Sequence, residues 1–132
     1  MAVYSLTNLD EWHFKNRETF KKVVAGVVLD MGGRIIRRTP VDTGRARGNW
    51  NFSLDRPDTS VDPNKKKKNR VLRKSELPDI DGKHTIFIVN NLDYIVELEK
   101  GSSTQAPKGM VEVTRQEWQR VLDANARKFR GF

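Results

Sequence analysis

The residues with the most chemical potential in this chain are few: His84 with Asp79 and Asp81 just before it, His13 far upstream, the pair Glu97 and Glu99, and the run Lys65-Lys66-Lys67-Lys68. Two aspartates close to a histidine would suit a metal-dependent nuclease, in which carboxylate and imidazole hold a divalent cation that activates water. No second histidine stands at a ligand spacing, and His13 and His84 fall in unrelated contexts, so a structural or surface role reads at least as well. Glu97 and Glu99 diverge on a helix and share a face on a strand, where a solvated acidic edge is the plain reading. Serines and threonines fall in turns and caps, with neither a nucleophile elbow nor a phosphate-cradling glycine loop. No catalytic site, metal site or cofactor is expected.

The lysine run carries a different chemistry. With Arg70, Arg73 and Lys74 it places seven positive charges in the span from 65 to 75, in a chain with 25 basic and 17 acidic residues and a formal charge of +8. Such a density suits a polyanion, and a solvated loop that aids solubility is the alternative.

As for the elements that must carry these residues, 132 residues make one domain, with a modest core. The absence of cysteine excludes disulfides and thiolate metal sites. No apolar run approaches the ~20 residues of a membrane span, and the opening segment lacks the pattern of a signal peptide, so a cytosolic start and no membrane partner are expected.

A helix is predicted over 8–38, capped by Asn8 or Asp10, about 40 Å long at ~1.5 Å per residue. Phe20, Val23, Val24, Val27, Val28, Met31 and Ile35 form its main apolar stripe, set to cover a sheet. Its back carries Ala25, Gly26, Leu29, Gly32, Gly33 and Ile36, small or apolar where a surface helix should be charged. Either another backbone packs there, from a neighbouring subunit, or the helix is buried on both sides within its own domain or kinked at Gly32-Gly33.

The helix must stop at Thr39-Pro40, because the proline lacks an N–H and restricts the residue before it. A tight turn follows over 39–44, with Asp42 and Thr43 able to bond backbone N–H groups ahead and Gly44 free to take positive φ. Arg34, Arg37, Arg38, Arg45 and Arg47 surround this corner.

Beyond it, 45–54 reads as a strand with Trp50, Phe52 and Leu54 on an apolar face and Asn49, Asn51 and Ser53 on a wet one. Trp50 is expected to anchor the core. The stretch 55–83 reads as a long basic loop, either disordered or functional. Four consecutive apolar residues, Ile86 to Val89, make 84–90 a central strand covered on both faces. A short helix is predicted over 94–100, ending at Gly101, then a loop to Gly109 and a third strand over 110–113. A closing helix over 114–129 opens on a capping box of Thr114 and Glu117 and turns Trp118, Val121, Leu122, Asn125 and Phe129 inward. The fold class is therefore α+β: a long N-terminal and a C-terminal helix packed on a small, mostly antiparallel sheet, with a long basic loop.

Thr39-Pro40-Val41-Asp42-Thr43-Gly44-Arg45, then Trp50, Tyr94, Glu99 with Gly101-Ser102, and Ala106-Pro107-Lys108-Gly109-Met110 are, in that order, similar to the neck or tail-completion proteins of long-tailed bacteriophages. The lysine-rich insert departs from the family pattern. The resemblance implies a structural protein of the virion neck and no enzyme: a head–tail joining adaptor, present in the host cytoplasm during assembly. It would form a homo-oligomeric ring between the portal or connector protein and the tail terminator, with duplex DNA in the channel.

On this reading the interface residues are Gly26, Leu29, Gly33 and Ile36 on the helix back, Arg38, Asp42, Thr43 and Arg45 at the corner, and Glu99 and Gly101. Glu99 is expected to pair with a corner arginine, within or between subunits. Lys65, Lys66, Lys67, Lys68, Arg70, Arg73 and Lys74 would meet DNA or an acidic partner, and the loops 55–83 and 101–109 would order on meeting one. The alternative is a small basic nucleic-acid-binding protein.

Overall fold

Trp50, buried to 1% exposure, stands where the chain turns from helix to sheet, and its indole N–H donates to the hydroxyl of Thr39 at 2.9 Å. Thr39 is itself fully buried and donates onward to the carbonyl of Ile35 at 2.7 Å. This relay satisfies the indole N–H and the threonine hydroxyl, as buried polar groups require.

The computed structural model describes residues 2–5 and 17–130. The elements in order are β1 (Ala2–Ser5), α1 (Arg17–Arg38), α2 (Arg45–Gly48), β2 (Trp50–Leu54), a 3₁₀ turn (Lys74–Glu76), β3 (Ile86–Asn90), α3 (Ile95–Glu99), α4 (Val111–Arg115) and α5 (Trp118–Arg130). The fold is α+β, with long N-terminal and C-terminal helices on a small antiparallel sheet. The expected helix start at Asn8 or Asp10, and His13 with it, lies outside the described residues.

The sheet order is β1-β3-β2 and both pairings are antiparallel. β3 is thus the central strand, as its unbroken apolar run requires, with Trp50 opposite Asn90 and Leu54 opposite Ile86. Two expected strand assignments are corrected. The third strand is β1, not 110–113, which is helical; and 45–49 is not extended, because Gly44 takes φ 85° and starts the four-residue helix α2.

The apolar stripe of α1 is buried throughout, in one cluster with Trp50, Ile86, Ile88, Ile95, Met110 and Val121. Its back is covered as well, by this chain. A Cβ on Gly26 would lie 3.0 Å from the Phe129 ring and closer still to the Asn125 side chain, so glycine here lets α5 settle against α1. A Cβ on Gly32 would meet Phe52 and Leu72 at under 3 Å, and Ile36 is 1% exposed. The helix is buried on both sides within its own domain, and Gly26 and Ile36 present no free face to a neighbouring subunit.

Candidate functional site

The turn that follows α1 and segments some sixty residues further along the chain meet at one depression. The turn Pro40 to Ala46 forms one wall of an open depression of about 320 Å³, closed by Tyr94 and Leu98 of the α3 region and by Ser103 and Gln105. Gln105 fastens the far loop to the corner as a strand would: its carboxamide accepts from Val41 N–H at 2.8 Å and donates to Val41 C=O at 3.1 Å. Asp42 and Thr43 stay exposed on the rim, where Thr43 Oγ1 accepts from Arg45 N–H at 3.3 Å. Arg45 lies half-buried, its Nε enclosed without a partner. Burial raises the Tyr94 phenol above its ordinary range, against the opposing pull of Arg45. The depression offers a rim carboxylate, a hydroxyl, a cation and an aromatic edge.

Several expected site residues are engaged inside the chain. Within the chain Glu99 pairs with no corner arginine; its carboxylate accepts the backbone N–H groups of Met110 and Val111, each at 2.9 Å, and of Glu112 at 3.1 Å. It caps α4, and this is why 110–113 is helix rather than strand: three orphan N–H groups have a carboxylate to meet. Gly101 and Gly109 both take positive φ, and a Cβ on either would press on backbone of this same loop region, Pro107 O and Glu99 O respectively. The loop 101–109 is therefore held, where ordering on a partner was expected.

The corner arginines find a different carboxylate. Glu117 receives Arg38, which also donates to Thr114 Oγ1 at 2.9 Å, and Arg34 at 3.2 Å, while Arg34 pairs with Asp30 at 2.7 Å. The hydrogen bond from Arg38 holds the Glu117 carboxyl down at about 2. Thr114 accordingly caps nothing: its hydroxyl donates to Met110 C=O within α4. The expected capping box is instead an ionic clasp between α1 and the start of α5, with Arg38 and Arg34 as its cations.

The loop 55–83 has little regular structure, yet it is stitched down by side chains reaching its backbone. Asn49 donates to Asp62 C=O and accepts from Asp62 N–H, and Asn51 and Asn91 both reach Ser60 C=O. The side of β2 read as wet is thus roofed by the loop. Further on, Lys67 N–H donates to Gly44 C=O at 3.0 Å, and Arg47 bridges Arg37 C=O, Thr39 C=O and Lys68 C=O. Arg70 departs from its expected role. Its side chain is 5% exposed and donates to the carbonyls of Arg47 and Trp50 and to Glu76 at 3.2 Å, so it is a pin. Leu72 and Ile80 bury against the core. Lys66, Lys67, Lys68, Arg73 and Lys74 remain exposed.

His84 is held between two aspartates, Nδ1 at 2.7 Å from Asp55 Oδ2 and Nε2 at 3.4 Å from Asp81 Oδ2. Among the described residues no group of three or more such side chains is placed to hold a metal ion, and no helix is long and apolar enough to cross a membrane. Sequence reasoning misses Glu117, Arg47, Asn49 and Gln105; the spacing of Glu117 from Thr114 is a signal, but one that reads as a cap. No family model, curated protein or solved structure matches the chain.

Proposed function

We propose that this protein is a structural adaptor of the bacteriophage neck, a tail-completion protein that assembles as a ring between the portal or connector and the tail terminator and does no chemistry of its own. One observation supports this most: Pro40 to Arg45 and Tyr94, far apart in sequence, line one depression, Trp50 bonds Thr39 beside it, and Glu99, Gly101 and 107–110 pack on one another in the segment that brings Leu98, Ser103 and Gln105 to its wall. The parts turned inward make the corner rigid, and Asp42, Thr43 and Tyr94 are left exposed at its rim. A rigid exposed rim suits docking, since little ordering entropy is lost on contact. Gly33 is buried and Leu29 packs on the core cluster, so with the back of α1 covered, subunit contacts would fall to the corner.

The test is electron microscopy of a lysate from a phage lacking this one product. Full heads and finished tails lying unjoined, and joining when the purified protein is added, is the expected result; Asp42→Arg should fold normally and fail to restore joining. Normal particles would overturn the adaptor reading and favour the alternative, a small basic nucleic-acid-binding protein, which draws on the exposed lysines.

A further inference from the structure

Four of the six carboxylates of the segment 55–83 are turned back into the segment itself. Asp58 accepts from Ser60 N–H, Asp62 from Asn64 N–H, Asp81 from Lys83 N–H, and Glu76 from both Arg73 N–H and the Arg70 guanidinium. These are local side-chain turns that fix the loop's own backbone. The lysines receive no such return: among the described residues none of Lys66, Lys67, Lys68, Arg73 and Lys74 has a carboxylate within 4.0 Å.

The backbone beneath those cations is fixed. Lys67 and Lys68 lie against Gly44 so closely that a Cβ there would come within 2.8 Å of them, and Lys65 lies closer still to Gly48. Arg47 ties Lys68 to the end of α1. A sequence that reads as a solvated tether is a ridge of outward cations on a pinned backbone.

We infer that this ridge binds the phosphate backbone of double-stranded DNA without regard to sequence. Three features choose that partner. Lysine is a point charge suited to single phosphates and is depleted from protein interfaces, where arginine and aromatics carry the energy. The segment 55–83 contains no aromatic residue, so it has no platform for the unstacked bases of a single strand. Val71, 72% exposed, is the one large apolar side chain exposed between 65 and 74, too little for the buried centre of a protein contact. Where the duplex would be met, inside a ring, rests on the adaptor reading; the ridge itself belongs to the single chain.

The experiment is fluorescence anisotropy of the purified full chain with a short labelled duplex of arbitrary sequence, titrated across salt. The wild-type affinity should fall steeply as salt rises. The triple variant Lys66→Ser, Lys67→Ser, Lys68→Ser should lower the log–log slope by roughly 2 to 3, at about 0.9 for each phosphate no longer neutralised. Its melting temperature should match wild type, because all three side chains are exposed. A control that removes charge elsewhere, Lys22→Ser with Lys128→Ser, should leave the slope nearly unchanged.

An unchanged slope in the triple variant overturns the inference, as does the same drop per charge removed in the control, which would make binding a matter of net charge. Tighter binding to a single strand of equal length, or to polyglutamate of equal charge, would likewise overturn it. Each of these outcomes leaves the head–tail joining test untouched, and failure of joining leaves the binding isotherm untouched.

Discussion

The back of α1 and the lysine loop exchange the roles their compositions suggest. The back of α1 is small, apolar and uncharged, the composition of an interface, and it lies sealed under α5, Phe52 and Leu72 of the same chain. The loop is polar, long and unperiodic, the composition of a disordered tether, and it is fastened at Asp62, Lys67, Lys68 and Arg70. The difference teaches that burial of a helix face in a small domain is decided by whether another element of the chain can reach it. Order in a loop is decided by how many of its backbone groups find side chains, a question of pairing that hydropathy does not register.

The largest effect should come from Gly26→Lys. It drives a side chain into Asn125 and Phe129 and should cost about 3 kcal/mol or more, read as a fall in urea midpoint. An unchanged midpoint would restore that face to a partner subunit. Gly33, seven residues on, should behave oppositely: a Cβ meets only the flexible end of Arg37 at 3.3 Å, and Gly33→Ala should be neutral or stabilise by up to ~1 kcal/mol.

Within the loop, Arg70→Met should cost roughly 2–3 kcal/mol by leaving buried carbonyls unpaired. Lys67→Met, three residues away, should stay within about 0.5 kcal/mol in thermal melts. Equal effects would mean that pins and ridge are not separate populations.

Next in size is the clasp. The folded-state carboxyl of Glu117 lies at about 2 against an ordinary 4.5, so its stabilisation is complete above the ordinary value and is lost as pH falls from there toward about 2. With solvent screening this amounts to roughly 1–2 kcal/mol, measurable by comparing urea midpoints near neutrality and in acid; Glu117→Gln should remove that part of the acid sensitivity.

Much of the architecture is legible because it is periodic. The α1 stripe and the apolar run of β3 each declare their burial within a few residues, and Trp50 follows from its alternation. What was hidden is non-local. Val111 and Val113 share a face in an extended chain, and only a carboxylate well upstream, Glu99, makes the same stretch helical. Arg45 to Asn49 looks continuous with β2 until Asn90, from the far end of β3, donates to Ala46 C=O. Ala2–Ser5 is too short to signal a strand and exists because β3 offers a free edge. Of the candidate site, Asp42, Thr43 and Lys66 to Lys68 are exposed, and Thr43 makes the turn bond its sequence context suggests. Arg38, Arg70 and Glu99 are engaged inside the chain, since a charged side chain reads alike whether it faces solvent or a carbonyl.

The pinned loop also bears on how this molecule could change over generations. Its fastening side chains, Asn49, Asn51, Asn91, Arg47 and Arg70, are distinct from the four consecutive lysines it displays. Mutation can therefore rewrite residues 65–68, even to the opposite charge, while the anchors keep the backbone in register. What the loop touches is free to evolve separately from how it folds.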